Sequence, residues 1–334
     1  MKRDSNIDLL RILSCILVII IHISSLYINK YSVEDGNYFK IANFFDSFSR
    51  VAVPIFVIIS GRYALASKEK NKNNYYLKIL RKIYLPTVIW SLIYLILSYF
   101  FIYDREWEIP LRALLEGVPF YHLWYPYMCI FLYFLAPYLI KFKNKYGEKA
   151  LLKLGVLALM LGIFLSFLQE YFIYIDIYKN FKFLIYFKHF WYYNYFKFIL
   201  YLGYFILGYS LKDIKISKIT VFLGYLITSF ILFIIVQKTG NIIFYNYNFI
   251  PTVIGSFLLY LTFTNWNVKY NFSEISKNTF NIYLIHAGVI ELLKILMKNM
   301  IYVVNPIYSI PLLTIFVFIF SFFLSTIFKK FFNI

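Results

Sequence analysis

Apolar positions in this chain fall in long unbroken runs rather than in the short alternations of a half-buried helix or strand. Residues 314–328 hold no charge, and residues 150–168 hold only Lys153. A crossing of the hydrocarbon takes about 20 apolar residues per helix. Ten segments meet that ruler, near 7–28, 44–66, 83–103, 122–140, 150–168, 196–211, 217–237, 247–264, 279–299 and 306–328. The sixth is short, and the eighth is interrupted by Pro251 and Gly255. The pattern predicts an all-α polytopic integral membrane bundle of about ten transmembrane helices. It is read as a single membrane domain over 1–334, with no soluble domain appended.

Composition agrees. Of the 334 residues, 61% are hydrophobic and 15% charged, and the mean hydropathy is +0.68, whereas soluble domains are about half apolar and about a quarter charged. A net charge of +18 could suggest nucleic acid, but the cations sit in short clusters between apolar runs, as topology signals do. Heavy use of Lys, Asn, Ile, Phe and Tyr also marks an AT-rich genome, so part of this bias carries no message. Cys15 and Cys129 both lie inside apolar runs and suggest neither a disulfide framework nor a metal motif. The first run carries charges and is not followed by a small-residue cleavage site, so it is expected to stay as a helix rather than leave as a signal peptide.

The cations also set an orientation. Alternate loops hold Lys2 and Arg3, then the cluster from Lys68 to Lys82, Lys141 to Lys149, Lys212 to Lys218, Lys269 and Lys277, and Lys329 and Lys330. The opposite loops hold most of the acids, among them Glu34, Asp35, Asp104, Glu106, Glu108 and Glu116. The positive-inside rule then puts both termini in the cytoplasm. Residues 169–195, rich in Tyr and Phe and containing His189, are expected to lie outside on the membrane surface as an aromatic belt. No internal repeat is visible, which weakens a transporter built on inverted halves.

Against this apolar background the first helix is unusual. Arg11 and His22 are eleven residues apart, which at about 100° per residue puts them within roughly 20° on one face and about 16 Å apart along the axis. Asp8, Cys15, Val18 and Ser25 share the stripe. Ionisable groups inside a span usually face a cavity or the bundle interior. Arg11 falls near the cytoplasmic mouth, either facing the interior or snorkelling to headgroups with Asp8 beside it. His22 falls past the midplane. In the second helix Asp46 and Arg50 are four apart and can pair, inside the bundle or as an interfacial pair above it. Pro54 frees a backbone carbonyl, and Ser60-Gly61 permits close helix contact. His122 and Trp124 open the fourth helix on the outside, as a sugar-stacking pair or an interfacial anchor. His286 lies about two turns into the ninth helix, which puts it nearer the cytoplasm than His22. Glu291 and Lys294 can pair along the same helix.

The Arg11-to-His22 spacing, Val53-Pro54-Ile55-Phe56 with Ser60-Gly61, and His122-Leu123-Trp124-Tyr125 resemble the membrane-bound acyltransferase-3 family. So do Leu132-Tyr133-Phe134-Leu135-Ala136-Pro137, Tyr204-Phe205-Ile206-Leu207-Gly208-Tyr209 and Asn281-Ile282-Tyr283-Leu284-Ile285-His286. Six blocks in order cover nearly the whole chain, in the manner of the surface-polysaccharide O-acetyltransferases. The resemblance implies a multi-pass bacterial cell-membrane enzyme that moves acetyl from acetyl-CoA to a hydroxyl of a surface polysaccharide or glycolipid, with no metal. It makes His22 the base or acyl relay and Arg11 a ligand for the donor, both catalytic. Lys78, Arg81 and Lys82, in Lys78-Ile79-Leu80-Arg81-Lys82-Ile83-Tyr84-Leu85-Pro86, match a basic segment suited to CoA phosphates, although plain topology signalling explains them equally. Lysines there replace arginines common in the family, which weakens bidentate phosphate contacts. His286 fits the donor side, while Asp46, Arg50, His122 and Trp124 fit the acceptor side. Two alternatives stay open: an exporter of a glycan or lipid-linked precursor, and a succinyl-transferring relative.

Overall fold

The computed structural model describes residues 4–67, 72–101, 119–174, 197–298, 302 and 304–332, and every regular element among them is a helix. Helices α1 (Ser5–Ile28), α2 (Asn37–Ser49), α3 (Ala52–Leu65), α4 (Lys72–Ile79), α5 (Leu85–Phe101), α6 (Trp124–Tyr146) and α7 (Glu148–Tyr174) come first. They are followed by α8 (Phe198–Ser210), α9 (Lys218–Thr239), α10 (Ile250–Thr264), the short α11 (Ser273–Ser276), α12 (Thr279–Met297) and α13 (Pro306–Phe332). Among the described residues nine helical segments are long and apolar enough to cross a membrane, and α8 is a shorter apolar helix. The protein is an all-α polytopic helical bundle.

Three boundaries differ from the apolar pattern, each for a local reason. The second span starts at Asn37, earlier than hydropathy suggests, and breaks at Arg50 and Val51 before resuming at Ala52. Pro54 causes the break: it has no N–H to give the Arg50 carbonyl, and its ring crowds that position. Pro251 starts α10 instead of interrupting it, since a proline in the first turn costs no intrahelical bond. The seventh helix continues to Tyr174, so residues 169–174 of the expected surface belt are helical. The rest of that belt, including His189, lies outside the described residues.

Two compact units divide the chain, Met1–Ile59 with Leu211–Asn333, and Ser60–Ser210. In the first, α1 packs on α2, α10, α12 and α13, and α9 lies on α2 and α10. Gly255 of α10 fits where an added Cβ would come within 2.9 Å of Thr228 Oγ1 and 3.3 Å of a Val51 methyl. In the second, α7 and α8 pack along much of their length. Gly61 of α3 abuts α8 so closely that a Cβ there would lie 1.7 Å from the Phe205 carbonyl oxygen. Thus the Ser60-Gly61 block and the Tyr204-to-Tyr209 block, distant in sequence, form one contact.

Candidate active site

The stripe on α1 meets a different partner at each level. At its foot Asp8, 1% exposed, accepts a hydrogen bond from Ser276 Oγ at 2.6 Å, and Arg11 Nη1 lies 3.6 Å from the same carboxylate oxygen. The Arg11 side chain remains 27% exposed. One turn on, the Cys15 thiol points at the Thr279 carbonyl, 3.8 Å away. Higher still, the half-buried His22 ring lies beside the ring of His286, with centroids 5.3 Å apart.

This last contact corrects the depth expected for His286. Counting turns from its own helix start placed it nearer the cytoplasm than His22. However, α12 starts beside Cys15, well into α1, and not level with the α1 start. Asn6 explains the offset, because its side chain donates to the Trp266 carbonyl at 2.7 Å and accepts from Val268 N–H at 2.9 Å. That clamps residues 266–268 to the start of α1, so the chain climbs through α11 before α12 begins. Cys15 to His22 and Thr279 to His286 are both seven residues, or about 10 Å of rise in a helix. The two histidines therefore arrive at one level. Tyr283 packs between His286 and α3, 5.4 Å from the His286 ring and 6.3 Å from that of Phe56. Two more sequence blocks, those holding Phe56 and His286, thus converge here.

At the level of Ser24, two residues beyond His22, stands the Asp46–Arg50 ion pair, which is internal and not interfacial. Asp46 is fully buried, bonded to Arg50 Nε and accepting from Ser24 Oγ at 3.0 Å. The Arg50 guanidinium sits 4.3 Å over the Tyr245 ring and 5.8 Å from that of Tyr247. Asn43 steadies the cluster: it accepts from Tyr245 Oη at 2.7 Å and Ser47 Oγ at 2.9 Å, and donates to the Phe233 carbonyl at 3.1 Å. Sequence reasoning missed Ser24, Asn43, Tyr245 and Tyr247. Ser24 lies on the face of α1 away from the stripe, and nothing in a chain with 34 tyrosines separates these two from the rest.

The remaining predicted residues belong to the second unit. His122 is 1% exposed and enclosed by the rings of Tyr94, Phe120 and Tyr121 at 5.1–5.8 Å. Trp124, the first residue of α6, stacks obliquely on Tyr201 at 5.6 Å with the Lys197 ammonium 5.0 Å from its ring. Lys78, Arg81 and Lys82 are exposed along α4 and the π-helical turn Leu80–Tyr84 that follows it. Beside them a largely apolar groove of about 1100 Å³ is lined by residues including Leu77, Leu80, Tyr84, Ile130 and Phe134. In the first unit, Glu291 and Lys294 of α12 do pair, at 2.7 Å.

The profile of the membrane acyltransferase-3 family, described as an acyltransferase domain, matches residues 4–329. The chain belongs to this family. No curated protein and no solved structure matches it. As a member of an acyltransferase family it acts in a membrane setting, between an acyl donor and an acceptor. The match spans both compact units, so the family's blocks include the His22–His286 cluster as well as the exposed cations of α4.

Proposed function

We propose that this acyltransferase moves an acetyl group from cytoplasmic acetyl-CoA to a hydroxyl of an extracytoplasmic surface glycan across a bacterial cell membrane. One observation carries the reading: a half-buried imidazole within a membrane-length helix, lined up with a carboxylate–guanidinium group at its foot and flanked by another above. Membranes tolerate such groups where they line a path or do chemistry.

In this reading the acceptor oxygen attacks the thioester carbonyl carbon, the C–S bond breaks, and the hydroxyl proton passes through His22 to the departing thiolate. Imidazole suits both halves of that transfer near neutral pH. Arg11, still partly exposed, holds the anionic donor at the foot of the stripe. Lys78, Arg81 and Lys82 offer further cations for CoA phosphates. Arg50, held by Asp46 and faced by two tyrosine rings, offers donors and aromatic surface to a sugar. Trp124 is a second candidate for sugar stacking. Loop charge favours ten spans with both termini inside, which counts α8 as a crossing.

The test is His22→Ala, made at normal abundance and read by mass spectrometry of surface glycans. O-acetylation should fall at least 100-fold, the scale of a lost general base. Acetylation at the unaltered level would exclude the reading, and a succinyl mass in place of acetyl would change the donor.

A further inference from the structure

His286 was expected to serve the donor, yet its ring stands beside that of His22. It is fully buried, so it reaches substrate only through its neighbour. Its Nδ1 lies 2.6 Å from the Tyr283 carbonyl oxygen. A carbonyl only accepts, so Nδ1 must carry the hydrogen, and the neutral ring then has its lone pair on Nε2. That hydrogen bond also fixes the ring plane, and the Phe56 and His286 rings pack against Tyr283. Two residues beyond His22, Ser24 ties α1 to the buried Asp46–Arg50 pair.

A base works best when a third group sets its tautomer, as the carboxylate does for the histidine of a serine hydrolase triad. We propose that His286 is the positioning residue for His22: its Nε2 accepts an N–H from His22 and leaves the other His22 nitrogen bare toward the acceptor hydroxyl. Such hydrogen bonds often tighten only when substrate arrives. The proton taken from the hydroxyl stays on His22 until the thiolate collects it, so His286 gains and loses nothing over the cycle. This role rests on the reading of His22 as the base.

The experiment uses the full chain in lipid nanodiscs, with acetyl-CoA as donor, a glycan extract of the source cell surface as acceptor, and thiol release as readout. His286→Leu removes the acceptor nitrogen. It should lower kcat about 100-fold, leave KM for acetyl-CoA within about twofold and displace the limb of the pH profile set by His22. His286→Gln, whose amide oxygen can still accept, should recover activity to within about tenfold of the unaltered protein. If His286→Leu does not accumulate, His286→Asn replaces it: it keeps a donor for the Tyr283 carbonyl but falls short of His22, and should be equally slow. Unaltered kcat and pH profile in the Leu or Asn variant would overturn the proposal. So would a Gln variant no better than Leu, which would mean the site needs only an imidazole shape. His22→Ala runs in parallel: activity surviving there refutes the base itself, whereas loss there with no effect at position 286 refutes only the pairing.

Discussion

Asp46 is a carboxylate held at zero exposure by one guanidinium and one hydroxyl, Arg50 and Ser24. A buried ion pair adds little net stability, but removing one member strands the other at a cost of about 3–5 kcal/mol. Asp46→Asn should therefore lower thermal stability in detergent sharply, with Arg50 left unmatched against Tyr245 and Tyr247. The double change Asp46→Asn with Arg50→Gln should cost less than Asp46→Asn alone, and a thermal-shift double-mutant cycle reads the difference. Sequence spacing showed that the two residues can pair; it could not show whether they do so in headgroups or in the bundle. That depended on Ser24 and on the loop holding Tyr245, contacts with no local signature.

At the level of helices, periodicity and length located the nine membrane-length helices among the described residues, because a membrane's thickness and a helix's rise leave little freedom. The failures came where one helix is set against another. α12 was placed by counting from its own start, while its true level is set by Asn6 clamping the chain before it. Close approach is a second property of helix pairs, and here the sequence did speak, through Ser60-Gly61. At Gly61 a methyl would collide with the Phe205 backbone, which no rotamer change relieves. Gly61→Ala should cost at least about 1–3 kcal/mol by overpacking, measured as lower abundance and earlier thermal unfolding. Gly255→Ala should be milder, because its nearest neighbours are side chains.

For the molecule as a whole, the cationic loops predict which surface faces which compartment. Both native cysteines are buried, so single cysteines on loops can be read with a membrane-impermeant maleimide against a low background. Lys145→Cys should label in inverted vesicles and not in intact cells, and Glu34→Cys should do the reverse; the opposite pattern would invert the topology. The expected topology rests on simple counting of loop charges, and the family was legible because six short blocks keep their order. What joins those blocks in space, such as Phe56 to Tyr283 to His286 to His22, depends on packing between segments more than 200 residues apart.

The unit that holds this cluster is built from the two ends of the chain, Met1–Ile59 and Leu211–Asn333. The first helix therefore leaves the ribosome and enters the bilayer long before its partners α10, α12 and α13 exist. During that interval Asp8 and Arg11 have each other, three residues apart, and Asp46 and Arg50 have each other, four apart. These local pairs let charged helices be inserted early and wait. His22 is an imidazole, and an imidazole can wait uncharged. Only when helices α9 to α13 fold back onto them do His22 and His286 come side by side.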